Sequence, residues 1–315
     1  MNDLLSICIP TYKRPSFLKA NLESLILQVA KYDIPIYISD NASGDETAKV
    51  VEEIKSTYPY IFYSCNDRNY GPDYNITKVL RAAESRYAWF LGDDDMISAG
   101  GIDVVMEILQ SGNYDLVVVN GDQAGRDRVA DIKSAVYTDR NRLLGELGWH
   151  MTWLSCIILS SDLIRRGQFD KYIGTYLVHV GTMFEYLADR DISVFWSDER
   201  MICGIEGNES SWTGDTFSIW IENWIKIISA LPACYAEEAK LKCIKDHGPN
   251  SHVFSLKHLL GLRALNVYNF RIYEKYRQQF RYVTDVPLPA LLSVSLLPLG
   301  MMKIVHLIWK AYKGI

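Results

Sequence analysis

The chain has no pair of cysteines at C-x-x-C spacing. Cys8, Cys65, Cys156, Cys203, Cys234 and Cys243 are scattered, which excludes a zinc ribbon and a small disulfide scaffold and fits a reducing compartment. Met1-Asn2-Asp3-Leu4 lacks a basic region followed by a long apolar one, so no signal peptide is expected. There is no low-complexity segment and no repeat of fixed period. No G-x-G-x-x-G follows the first apolar strand, which argues against a dinucleotide cofactor, and no G-x-x-x-x-G-K-[ST] is present, which excludes a P-loop kinase. G-x-S-x-G and H-E-x-x-H are missing as well. An excess of positive charge is also absent: a net charge of −5 argues against a broad basic face, so no nucleic-acid partner is expected.

What is present is enough apolar residue, 49% of 315, for a substantial core. Residues 4–10 form a short apolar strand ending in Pro10-Thr11-Tyr12-Lys13-Arg14-Pro15. Pro15 opens a helix, where its missing N–H costs nothing, and Leu18, Leu22, Leu25, Ile26 and Val29 recur at helical spacing. A second strand, 36–39, runs into Asp40-Asn41-Ala42-Ser43-Gly44-Asp45-Glu46, where Ser43 and Glu46 have capping-box spacing. A third strand, 60–64, precedes the polar loop 66–75, and Ile76, Val79, Leu80 and Ala83 give the next helix its buried face. A fourth strand, 87–91, a helix reaching about residue 110 and a strand at 115–119 follow. This alternation predicts an α/β fold with a parallel sheet and right-handed crossovers. The polar clusters all follow strands, so they converge on one crevice at the carboxyl edge.

The sharpest feature is Tyr87-Ala88-Trp89-Phe90-Leu91-Gly92-Asp93-Asp94-Asp95. An apolar run that fits a buried strand stops at a glycine, and three carboxylates follow. Adjacent acids repel unless a positive group sits among them, and hard oxygen ligands suit Mg²⁺ or Mn²⁺ bound to a polyphosphate. The alternative is an acidic turn that caps a helix starting at Ser98.

Beyond residue 120 the alternation loosens. Residues 121–147 are polar and read as an exposed loop or flap. Trp149, His150 and Trp153 precede an apolar strand at 156–159; residues 179–189 look helical and 192–196 look like a strand. Residues 204–214 are turn-rich and carry Glu206, Asn208, Glu209 and Trp212, and helices are expected at 219–231, 233–246 and 252–268. Residues 288–309 hold one charge, Lys303, and are interrupted by Pro289 and Pro298. A spanning helix needs about 20 unbroken apolar residues. A re-entrant or interfacial segment is therefore expected, with Lys303, His306, Lys310 and Lys313 near the head groups, against the alternative of a helix packed on the core or on a second subunit. The expected division is 1–120, 121–215 and 216–315.

Pro10-Thr11-Tyr12 with Arg14, Asp40-Asn41 with Ser43 and Asp45, Asn69 with Gly71, and Gly92-Asp93-Asp94-Asp95 resemble glycosyltransferase family 2 over roughly the first 120 residues. The Leu-Gly-Asp-Asp-Asp variant is most similar to the abequosyltransferase-like branch, which decorates bacterial surface polysaccharides such as O-antigen. The resemblance implies a GT-A fold: a Rossmann-like, mostly parallel sheet flanked by helices, here with a C-terminal helical extension. It also implies a nucleotide-diphosphate sugar donor, a glycan or polyprenyl-linked glycan acceptor, Mn²⁺ or Mg²⁺, and work in the cytoplasm or peripherally at the inner face of the membrane. Pro10, Thr11, Tyr12 and Arg14 would lie by the nucleotide and Asp40 would accept a hydrogen bond from the base. Asn69, Gly71 and Asn75 would let the backbone approach ribose and diphosphate. The plain readings are a turn for Gly71, a helix cap for Asn75 and a turn cap for Asp40.

In the usual family pattern, Leu-Asp-Ser-Asp-Asp, the first Asp falls at Gly92 of this chain. Asp93 then takes the place of the Ser and reaches ribose or metal, Asp94 takes the metal ligand's place, and Asp95 is a second ligand or an anchor of the loop. The family's Glu-Asp at the start of an acceptor-side helix is missing. His179 and Glu185 are the base candidates there, with a metal ligand or an ordinary helix-start residue as alternatives for His179 and a solvent-facing residue for Glu185. Trp149, Trp153 and Trp212 are candidates to stack on an acceptor sugar, or core residues. Two other functions remain open: a sugar-phosphate nucleotidyltransferase, and a non-catalytic nucleotide- or glycan-binding module.

Overall fold

The computed structural model describes residues 1–123, 125–205 and 212–313, without the side chains of His306 and residues 309–313. Glu206, Asn208 and Glu209, and the side chains of His306, Lys310 and Lys313, thus lie outside the described residues. The chain forms two compact units, one of residues 1–143 and 150–206, the other of residues 144–149 and 207–315.

The first unit is built on a mixed sheet. Its strands are β1 (Leu5–Thr11), β2 (Ile36–Asp40), β3 (Ile61–Cys65), β4 (Tyr87–Phe90), β5 (Asp95–Ile97), β6 (Leu116–Gln123), β7 (Arg126–Asp127), β8 (Ala135–Tyr137), β9 (Ile157–Ser160) and β10 (Val194–Gly204). Their order is β3-β2-β1-β4-β9-β6-β10-β5, with β7 beside β6 and β8 beside β10. Helices α1 (Pro15–Val29), α2 (Thr47–Lys55), α3 (Pro72–Arg81) and α4 (Gly101–Ser111) connect the first strands; α5 (Arg140–Leu147), α6 (Ser161–Arg166) and α7 (Val178–Tyr186) follow. Strands β1 to β4 are mutually parallel, as the alternation predicts, and Thr11 pairs with Asp40 at their carboxyl ends. Strands buried on both faces read as near-continuous apolar runs. Ile7, Ile9, Ile36, Ile38, Trp89, Val117 and Val119 are such residues, and Leu18, Leu22, Leu25 and Val29 of α1 pack against them.

Several expectations need correction. Strand β9 runs antiparallel between β4 and β6, so the parallel sheet is interrupted at its centre. The acidic run does not lead into a helix at Ser98: β5 intervenes, antiparallel to the end of β10, with Asp95 opposite Gly204. A three-residue strand is too short to show a period of two. The region 121–147 is not one open loop, because it completes β6 and contains β7, β8 and α5. Ser43 and Glu46 form no capping box. Glu46 is the N-cap of α2 and accepts no side-chain bond, while Ser43 donates to Asp40 Oδ1 at 2.6 Å.

The second unit is helical: α8 (Trp224–Ser229), continuing a π-helical turn at Ser218–Asn223, then α9 (Glu237–Ser251), α10 (Leu256–Ala264), α11 (Phe270–Tyr276), α12 (Phe280–Val283), α13 (Leu288–Leu296) and α14 (Leu299–Lys313). The helices expected at 233–246 and 252–268 are therefore displaced or shorter. Phe217 stacks within 5.4 Å of Tyr268 and 5.5 Å of Phe254, while His247 lies 4.4 Å from Trp220 and 5.0 Å from Trp224. The chain turns by 94° between α13 and α14, at Pro298. No single helix among the described residues is long and apolar enough to cross a membrane.

Candidate active site

The acid run sits at the carboxyl edge of the parallel strands, beside the end of β1. Thr11 Oγ1 donates to Asp93 Oδ2 at 2.7 Å, and Arg14 Nη1 lies 2.6 Å from Asp94 Oδ2 and 3.4 Å from Asp93 Oδ1. Asp93 is buried while Asp94 keeps 22% of its side-chain surface exposed. Burial, and then the charge of Asp94, push the Asp93 carboxyl up to about 6. The same two causes raise Asp95.

Asp95 points into the protein. Its Oδ2 accepts from Trp153 Nε1 at 2.9 Å and from Ser155 Oγ, and Ser155 Oγ in turn accepts from Gly92 N–H at 2.8 Å. From α1, Asn21 Nδ2 donates to the carbonyls of Gly92, at 3.0 Å, and Asp95. A Cβ on Gly92 would come within 2.9 Å of Asp94 Oδ1 and 3.0 Å of Asp95 Oδ2, so a side chain there would push on the carboxylates that the turn folds back. Behind this layer the Arg128 guanidinium lies 5.2 Å over the Trp153 ring. Burial lowers its pKa to about 10, and the charges of Cys156 and Asp95 oppose that fall.

A second network joins the ends of β2 and β3 to the start of α3. Asp40 is buried; its Oδ1 accepts from Ser43 N–H and Oγ, and its Oδ2 from Tyr63 OH at 2.7 Å. Asn41 Nδ2 donates to Asn69 Oδ1 at 2.8 Å and to the Gly71 carbonyl at 3.1 Å. Asn75 is buried and bonded to Ser39, Asn66 and the Thr11 carbonyl. Gly71, at φ 87°, precedes Pro72 at the head of α3. Tyr12 is exposed at the rim, with its hydroxyl pKa lowered by a hydrogen bond to Asn69. Pro10 pairs with Ser39 one position before this edge. The structure thus gathers Pro10, Thr11, Tyr12, Arg14, Asp40, Asn69, Gly71, Asn75 and Asp93 to Asp95 at the strand ends, with Asp40, Asn75 and Asp95 turned inward.

The two base candidates are not part of this network. His179 is buried in α7, and burial lowers its imidazole to about 4, leaving it neutral near pH 7. Glu185 is held at the far end of α7 by Lys171 and by Tyr172 OH at 3.0 Å. Neither makes a hydrogen bond or ion pair to Asp93, Asp94 or Asp95. Of the tryptophans, Trp153 serves Asp95, Trp149 is buried in the second unit, and Trp212 stands edge-on to Trp220 at 5.6 Å. The residues that sequence reasoning missed are Asn21, Ser155, Arg128 and Asp73. Asp73 is buried, and its Oδ2 accepts from the Gly174 and Tyr176 N–H groups, each at 2.8 Å.

No group of three or more His, Cys, Asp or Glu among the described residues is arranged to hold a metal ion. The acid turn still fits a shared ion. Asp93 and Asp94 face one guanidinium, that of Arg14, and Asp93 and Asp95 have raised pKa values, so the turn accommodates further positive charge. Mg²⁺-type sites with substrate phosphates need only one or two protein carboxylates.

A family model described as glycosyl transferase family 2 matches residues 6–167. The chain is 31% identical over 201 residues to the abequosyltransferase RfbV of Salmonella typhimurium, covering 57% of this chain and 60% of that one. It is 33% identical over 110 residues to a Campylobacter jejuni GalNAc(5)-diNAcBac-PP-undecaprenol β-1,3-glucosyltransferase, covering 34% and 35%. The chain thus spans less than two thirds of either relative. Among solved structures, S. aureus TarS 1–349 in complex with UDP-GlcNAc superposes with a TM-score of 0.60 at 16% identity, covering 93% of this chain and 90% of that one. The Pyrobaculum calidifontis mannosyltransferase PcManGT in complex with GDP-Man and Mn²⁺ superposes at 0.54 and 14% identity, covering 98% and 88%. The shared fold is GT-A.

Proposed function

The chain belongs to glycosyl transferase family 2, and we propose that it moves one sugar from a nucleotide-diphosphate donor to a hydroxyl of a glycan or lipid-linked glycan at the inner face of a bacterial membrane. The carrying observation is the cluster of Thr11, Arg14, Asp93 and Asp94 at the carboxyl edge of the parallel strands. The names of the two relatives, a sugar transferase and an enzyme of undecaprenol-linked glycans, support the acceptor class.

Asp94, partly exposed beside Arg14, would hold Mn²⁺ or Mg²⁺. A bound cation neutralises charge that builds on the departing nucleoside diphosphate. Arg14, already drawn to the acids, supplies a planar donor fork for a phosphate. Asp95 orients the turn through Trp153 and Ser155, and Tyr12 and Asn69 offer the rim on which a base and ribose rest. His179 and Glu185 remain the base candidates. A base needs the neutral imidazole that His179 holds, yet its burial keeps it from an acceptor unless α7 shifts.

The test is thermal shift against a panel of nucleoside diphosphates with and without Mn²⁺, followed by transfer assays. A ligand at a hundred times its Kd stabilises by about 2.7 kcal/mol. One nucleotide should stabilise the wild type in a Mn²⁺-dependent way. Asp94→Ala should keep the fold, lose the Mn²⁺-dependent part and lower transfer by at least about a hundredfold. Wild-type turnover by that variant would overturn the assignment.

A further inference from the structure

The second unit carries an exposed apolar surface on its last helix. Along α14, Met301, Ile304, Val305 and Ile308 recur at i, i+3, i+4 and i+7 and all face outward; Ile304 is 60% and Ile308 64% exposed, while Met302 is buried. A soluble amphipathic helix turns such a stripe inward. After Asp285 the chain carries Lys303, Lys310 and Lys313 and no acid, although the whole molecule is net negative. A two-fold contact with a second copy would bring the same lysines together, so the charge pattern favours an anionic cover over self-association.

A cavity of about 490 Å³ opens within the same unit, lined by Arg263, Asn269, Phe270, Arg271, Ser295 and Leu296. It holds two guanidinium groups and no carboxylate. Arg263 is fixed in place: Nε and Nη2 donate to the Leu297 carbonyl at 2.9 and 2.6 Å, at the bend between α13 and α14. Arg271 is exposed and makes no hydrogen bond or ion pair among the described residues. Phe270 and Leu296 add exposed apolar surface at the same opening. Helix α13 packs on α10 and α11, and α14 packs on α10, so the cationic cavity and the apolar stripe belong to one packed group of helices.

We propose that α13 and α14 lie on an anionic phospholipid surface and that the cavity at Arg263 and Arg271 takes one phosphate-bearing lipid headgroup. Apolar contact supplies depth, and the lysines add attraction to the negative leaflet. The site holds the second unit against the membrane independently of sugar transfer.

Co-sedimentation of the full chain with vesicles tests this without reading transfer. One set of vesicles is phosphatidylcholine alone; the other is an equal mixture with phosphatidylglycerol. The wild type should sediment with the mixed vesicles and little with phosphatidylcholine. Arg271→Glu, a surface change, should weaken that binding about thirtyfold, the effect of reversing one charge near a lipid surface. Ile304→Asp should weaken binding to both, and inorganic phosphate should not compete. Equal sedimentation with both vesicles, wild-type binding by Arg271→Glu, competition by inorganic phosphate, or a concentration-dependent dimer that Ile304→Asp dissolves would each overturn the proposal. A failure here leaves the transferase reading standing, and a failure of nucleotide binding leaves this one standing.

Discussion

Asp93, Asp94 and Asp95 are consecutive, yet the fold gives each a different environment. Asp93 is buried against Thr11, Asp94 is half-open against Arg14, and Asp95 is anchored to Trp153 and Ser155. Asp94 is thus the partly open carboxylate of the run, between a buried Asp93 and an Asp95 tied inward. Histidine 179 offers a cleaner titration, because it lies outside that cluster. Its folded pKa is depressed to about 4 from an unfolded value of 6.5, so the unfolded chain binds the extra proton in between. The neutral histidine therefore favours the fold above pH 6.5, and that contribution is lost as pH falls toward 4, by on the order of 3 kcal/mol. His179→Gln removes the titration. Denaturation from pH 7.5 to 4.5 should show the wild type losing stability more steeply than the variant, and parallel curves would refute the buried-neutral assignment. The acid run, Arg14 and the strand-end clusters were legible because each is a local pattern following an apolar run. Asn21, Ser155 and Arg128 were not, because their partners lie across the fold and nothing in their own neighbourhoods marks them.

At the scale of elements, the approach to α7 depends on one buried acid of α3. Asp73 Oδ2 accepts from Gly174 and Tyr176 N–H, and Tyr176 takes the left-handed φ of 61°. A non-glycine residue in that region is strained, so the tie holds the loop in a conformation it would otherwise leave. Asp73→Ala removes the acceptor of two amides at the surface of the loop and should cost about 1–3 kcal/mol. The measurable result is faster amide exchange at 174–178 with slower transfer, while exchange in β1 and β4 stays protected. Unchanged exchange at 174–178 would show that the acid does not hold the loop. The same long reach explains what the sequence left unread here. Helix α7 announces itself by composition, but a loop set by a residue a hundred positions away does not. Strand β5 was hidden for a related reason: three residues become a strand only because β10 lies alongside.

At the scale of the molecule, the boundary between the units is not where composition changes. The helical half was legible from about residue 216 by its helical spacing, but the short segment 144–149 also belongs to it. Helix α5 begins in the first unit and ends in the second. Its Gly145 lies against Lys242 and Ala239, and Gly148 against Cys243, all of α9. Leu144, Leu147 and Trp149 are buried there. A chain cut after residue 206 keeps every residue of the acid turn but loses α9, so those three side chains would face water. Each exposed large apolar group costs about 2 kcal/mol, a sum comparable to the whole stability of many domains. The truncated chain should therefore aggregate or melt without a cooperative transition, even though it carries the carboxyl edge of the parallel strands. Leu144→Ser, Leu147→Ser and Trp149→Ser together, made in the truncated chain, should restore solubility if exposure of this face is the cause. A soluble, cooperatively melting 1–206 without them would mean that α5 does not need its second-unit partners.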